Sequence, residues 1–170
     1  MRVLKNTLLA GALTLAVIAV PAMAQQKTGT TILGVTVLAE SSLTVTDANT
    51  TLAKTDTLFG DFTGTTNLKY RIRTTASGGS GSIVAQVNEF TGNGPKVAAD
   101  LSYSSTTGGL GTAVTNQAAS TTGANVISFG PNARSAKAGN DAAVNWRLGD
   151  DPQFETGSYS STVTFTVSAT

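Results

Sequence analysis

The residues of this chain that could do chemistry are few, and nearly all are of one kind. There is no His and no Cys among its 170 residues. Neither a Ser–His nor a Cys–His nucleophile pair can therefore form, and no imidazole or thiolate is present to hold a metal. The usual protonation switch near neutral pH goes with the His. Carboxylates remain: Glu40, Asp47, Asp56, Asp61, Glu89, Asp100, Asp141, Asp150, Asp151 and Glu155. Two of them roughly 5–10 Å apart would suit glycoside hydrolysis. No spacing implies such a pair, and most stand beside Gly, Thr or Asn, where short acids serve turns. The expectation is a protein that is not an enzyme and uses no cofactor, with a carboxylate-dependent hydrolase kept as a third reading. Calcium takes carboxylate and carbonyl oxygens from irregular loops, and Asp141, Asp150 and Asp151 with Asn140 could supply them at one end of a fold. No EF-hand spacing supports that, and a solvated turn before Pro152 is the plainer account, so no metal site is expected.

Two groups could bind rather than react. Lys69, Arg71 and Arg73 alternate along one segment. Such a basic stripe suits an acidic polysaccharide or a neighbouring subunit. The preferred account is an exposed face whose charges keep a strand edge from pairing promiscuously. Trp146 lies between Val144 and Leu148, with Asn145 and Arg147 on the opposite parity, and so reads as a core anchor. An exposed Trp146 or Tyr103 stacking on sugars would instead make the protein a secreted carbohydrate- or surface-binding module, the second reading.

The first residues look like an address. Arg2 and Lys5 precede an apolar run from Leu8 to Val20 that is too short to span a bilayer. Pro21 ends it, and Ala22-Met23-Ala24 offers small residues to a signal peptidase, which predicts cleavage before Gln25. The 1–24 leader implies export, to the periplasm, cell surface or extracellular space, with no membrane span after cleavage. Taking Arg2 and Lys5 from the 11 basic residues leaves nine against ten acidic, a net charge near −1. That excludes the clustered basic excess a nucleic-acid partner requires. Without Cys there is neither a disulfide staple nor a lipid-bearing thiol. Removing 24 residues leaves 146, one domain that can bury roughly 68–70% of its unfolded surface.

The elements that must position these side chains are strands. From Ser158 to Thr170, Tyr159, Val163, Phe165, Val167 and Ala169 alternate with Thr162, Thr164, Thr166 and Ser168. This period of two predicts a half-buried strand running to the last residue. Residues 33–45 repeat it with Leu33, Val35, Val37, Ala39, Leu43 and Val45. Asn67–Thr75 sets Leu68, Tyr70 and Ile72 against the basic stripe. The Gly/Ser run 77–82 then predicts a hairpin onto a strand over 83–90. Further strands are expected over 97–103, 125–129 and 142–148, with a weak one within 50–62. Residues 104–124 hold only Leu110 and Val114 as large apolar residues and read as a long surface loop or ragged edge hairpin. No sustained helical period occurs after the leader. The fold class expected is all-β: a single immunoglobulin-like sandwich of about seven to eight strands over residues 25–170.

The run Thr31-Ile-Leu-Gly-Val-Thr-Val-Leu-Ala-Glu-Ser-Ser-Leu-Thr-Val45 resembles the mature start of alternate-class (CFA-type) chaperone–usher pilins. Gly157-Ser-Tyr-Ser-Ser-Thr-Val-Thr-Phe-Thr-Val167 is similar to the closing strand of those pilins and of spore-coat-U-like domains. Trp146-Arg-Leu148 also resembles the Trp-x-Leu surface-domain family. The pilin resemblance covers about thirty residues at the two ends and implies a structural subunit of a bacterial surface fibre or coat. In such a subunit a sandwich lacking one strand is completed by a neighbour's N-terminal extension. Residues 25–39 would be the donor strand, with Leu33, Val35 and Val37 inserted. The closing strand would be that of Tyr159, Val163, Phe165 and Val167, and Glu40–Ser42 would be a tight joint. The implied partners are other copies, related subunits and a periplasmic chaperone. The alternative is that residues 31–45 pair within their own molecule as an ordinary first strand.

Overall fold

The computed structural model describes residues 28–55 and 58–170. The expected leader, its cleavage site and Asp56 lie outside them. The chain divides into two units, residues 1–35 and 36–170. Of the first, residues 28–35 are described; they belong to no strand or helix and every one is exposed.

The second unit is the expected all-β sandwich, with ten strands among the described residues rather than seven or eight. They are β1 (Glu40–Val45), β2 (Ala53–Lys54), β3 (Phe62–Arg73), β4 (Gly81–Val87), β5 (Leu101–Thr106), β6 (Thr112–Ala113), β7 (Gln117–Ala118), β8 (Ala124–Phe129), β9 (Asn140–Leu148) and β10 (Val163–Ala169). The surplus consists of three two-residue strands, too short to leave an alternation pattern in sequence. One sheet runs β1-β3-β9-β5-β7 with β2 also on β3, and the other runs β10-β4-β8-β6; every pairing is antiparallel.

Alternation decides which side of each strand is buried. Leu68, Tyr70 and Ile72 of β3, Ile83, Ala85 and Val87 of β4, and Val144 and Trp146 of β9 close one core with Tyr103, Val126, Ile127 and Phe129. Each large aliphatic side chain there is worth about 1.5–3 kcal/mol of burial.

Four expectations need correction. The hairpin over 67–90 does not form, because β3 already pairs β1 and β9, and β4 pairs β10 and β8. Neither strand has a free edge for the other, so the Gly/Ser segment carries the chain from one sheet to the other. Residues 97–100 form a single helical turn, α1 (Val97–Asp100), before β5 begins. Asp100 bends back to accept from the Lys96 N–H at 2.6 Å, a local bond that competes with extension. The closing strand starts at Val163, and Tyr159 lies outside it. Its hydroxyl donates to the Glu155 carbonyl at 2.6 Å, and its ring lies against Gly94, where any Cβ would collide with it. Finally, residues 104–124 are not a loose loop. β7 joins the edge of one sheet and β6 the edge of the other, and Leu110, Val114 and buried Ala119 pack on the core.

Candidate functional site

The carboxylates do not converge. Among the described residues no three acidic side chains approach closely enough to hold a metal ion. Asp141 stands at the start of β9 and Asp150 beyond its end, roughly 30 Å apart along an extended strand. Asp141 instead meets Lys69 at 2.7 Å and Asp150 meets Lys54 at 2.7 Å. Asp151 caps a turn by accepting from the Gln153 N–H at 2.9 Å. The calcium set of Asp141, Asp150, Asp151 and Asn140 is therefore not assembled.

Nor are the aromatics open to a ligand. Trp146 is 4% exposed and Tyr103 1%, so sugar stacking through either side chain is closed off. The indole N–H donates to Thr66 Oγ1 at 2.9 Å, and that oxygen lies 2.6 Å from Thr50 Oγ1. The Tyr103 hydroxyl donates to the Asn125 carbonyl at 2.9 Å, and burial pushes its pKa up to about 12. Burial also raises that of Tyr70, whose hydroxyl donates to the Leu110 carbonyl at 2.7 Å. Trp146 is the core anchor its neighbours predicted, with Tyr103 and Phe165 rings 5.2 and 6.5 Å away.

Two of the three cations of the basic stripe have acidic partners. Lys69 pairs with Asp141, and Arg73 Nη2 meets Glu40 Oε2 at 3.0 Å while its Nε donates to the Leu38 carbonyl at 2.7 Å. Arg71 Nε donates to the Lys137 carbonyl at 3.1 Å. The Arg73 grip on the start of β1 was invisible in sequence, because it depends on the register Glu40↔Arg73. That register also corrects the joint: Glu40–Ser42 is not a hinge but the paired first half of β1.

What stands out is a contrast between the two side edges of the sandwich. On one, β6 and β7 belong to a single strap that crosses between the sheets. Ser105 Oγ donates to the Val126 carbonyl at 2.6 Å and accepts from the Val114 N–H at 2.9 Å, stitching the strap down. On the other, among the described residues, β1 pairs only β3 and β10 pairs only β4, so each keeps a backbone edge that none of them fills. The inward side chains there, Leu43 of β1 and Val163, Phe165, Val167 and Ala169 of β10, are half-buried although they pack on the core. Corresponding residues on the inner strands are fully buried. The two edge strands lie against each other across the sheets, and β10 still offers an unpaired backbone edge and an apolar inner face, which is what an added strand needs.

The proposed donor residues are the most conspicuous exposed apolar group among the described residues. Leu33 is 92% exposed, Val35 88% and Val37 61%, with Ile32 and Leu38 also in solvent. Single exposed aliphatics are ordinary, but five within seven residues are not. The strand expected over 33–45 thus forms only from Glu40. The structure brings Val163, Phe165 and Val167 together along the open edge, and Tyr159 stands apart from them. A scan against protein-family models matches none to this chain, and a search of curated proteins likewise finds no match.

Proposed function

We propose that this protein is a non-enzymatic structural subunit of an exported bacterial surface fibre or coat, assembling by strand addition. The segment up to Leu38 of one copy pairs along the free edge of β10 of the next. The single observation that carries this reading is the exposure of Leu33, Val35 and Val37 beside a sandwich whose β10 edge is unpaired among the described residues. Dimensions support it. β10 offers seven residues, about 20 Å of ladder, and residues 31–37 are also seven. Val163, Phe165 and Val167 turn inward at every second position, and the donor's three aliphatic residues recur with the same period. In an antiparallel pair opposite residues share a face, so all three can enter the core together. Burying them contributes roughly 1.5–3 kcal/mol each before ordering costs, and the ladder adds to it. Insertion of one copy into the next is heterologous and does not close, so the product grows as a fibre. The Arg2/Lys5 leader fits a role outside the cytoplasm, where a periplasmic chaperone is the further partner.

Deletion of Gln25 to Leu38 tests this directly. The purified parent is expected to form multimers that persist in mild denaturant, and the shortened chain to elute as a folded monomer. Parent protein that stays monomeric at high concentration would sink the reading.

A further inference from the structure

The two ends of the sandwich carry opposite charge, and the chain enters the sandwich at the positive one. At the Arg73 end of β3, a groove of about 860 Å³ is lined by Val37, Glu40, Arg71, Arg73, Arg134 and Lys137. That is four cations against one carboxylate. Arg71, Arg134 and Lys137 have no carboxylate partner among the described residues. At the Phe62 end the balance reverses. Asp100, Asp150 and Asp151 line a second depression with Arg147, and Asp61 pairs with that Arg147. Glu89 accepts there from the Val97 N–H, and Glu155 accepts from Asn93. Among the described residues these six carboxylates face three cations, Lys54, Lys96 and Arg147, a side-chain net of −3 against +3 along the groove at the far end. The eleven steps of β3 hold the ends roughly 36 Å apart. That is several Debye lengths at physiological salt, so neither end neutralises the other within one molecule.

We propose that these ends are complementary docking faces for successive copies: the basic end of one seats on the acidic end of the next. The proposal rests on the strand-addition reading and gives it a direction. β10 runs from the acidic end, where Val163 pairs Val87, to the basic end, where Ala169 pairs Gly81. A donor segment laid antiparallel to β10 brings its own sandwich up against the acceptor's acidic end, basic face first. Laid parallel, it sets two basic ends together. Like-charge contact disfavours the second arrangement and opposite charge steers the first. The field therefore selects one insertion polarity before any side chain reaches the edge of β10.

Charge reversal at exposed positions tests this, with assembly followed by light scattering and folding by circular dichroism. Arg134→Glu with Lys137→Glu makes one variant, and Asp151→Lys with Glu155→Lys the other. Each alone is expected to assemble about tenfold more slowly than the parent at low salt. Raising salt should narrow the gap, and mixing the two variants should restore alternating co-assembly. The mixture keeps the test decisive even where one reversal weakens its own fold. Multimers that require residues 25–38 but ignore both reversals overturn the end pairing and leave strand addition standing. Multimers that survive removal of that segment yet vanish on reversal support the end pairing and overturn strand addition. Monomers under every condition overturn both.

Discussion

Thr66 shows how much one small hydroxyl carries in this core. It is buried on β3, accepts from the Trp146 indole and lies within hydrogen-bond distance of Thr50, linking the longest strand to the segment before β2. Thr66→Val keeps the shape but leaves the indole N–H unsatisfied in a dry site. We expect a loss of about 1–3 kcal/mol, read from urea unfolding followed by the fluorescence of the one Trp. Trp146 itself was legible as a core residue from its aliphatic neighbours, but the partner of its N–H was not, because 80 residues separate them. Tyr159 was the reverse case. Its odd position fitted the alternation of Val163, Phe165 and Val167, yet Gly94 receives its ring and the Glu155 carbonyl its hydroxyl before the strand begins. Period two continues through such a turn by chance, and only the third dimension separates the two.

Among elements, the strap of residues 104–124 and the segment of residues 28–38 exchanged the roles their compositions suggested. The strap is Ser-, Thr- and Gly-rich, yet it closes one side of the sandwich through Ser105. Removing that hydroxyl in Ser105→Ala orphans the Val114 N–H and the Val126 carbonyl. We expect about 1–3 kcal/mol of destabilisation, with faster amide exchange in β6 and β7 as the local signature. Gly111 marks the same closure: its φ is +90°, and a Cβ there would strike Ile127 and Phe129. The N-terminal segment has the apolar alternation of a strand but no partner strand among the described residues. Val35→Asp should leave the melting temperature of the monomer unchanged and abolish multimers seen by size-exclusion chromatography. A drop in monomer stability would instead place Val35 inside its own sheet and count against its availability to a neighbour.

For the molecule as a whole, two buried phenols set an alkaline limit. Desolvation raises the folded-state pKa of Tyr103 to about 12 and that of Tyr70 above the 10.0 of a free phenol. The folded chain therefore holds these protons where the unfolded chain releases them. The stability they contribute is complete below pH 10 and is lost as pH rises toward about 12. Urea midpoints across that window should fall, and Tyr103→Phe should flatten the fall while lowering stability modestly at neutral pH. An equally steep decline in Tyr103→Phe would show that this hydroxyl is not the responsible group. By itself the sequence determined the all-β class, the inward faces of β3, β9 and β10, and the lack of His or Cys chemistry. These are local properties, since alternation and residue type act within a strand's own length. Which strands pair, which side edge stays open and which charges share an end were decided only by tertiary structure. Each depends on contacts between residues tens of positions apart, where chain proximity carries no information.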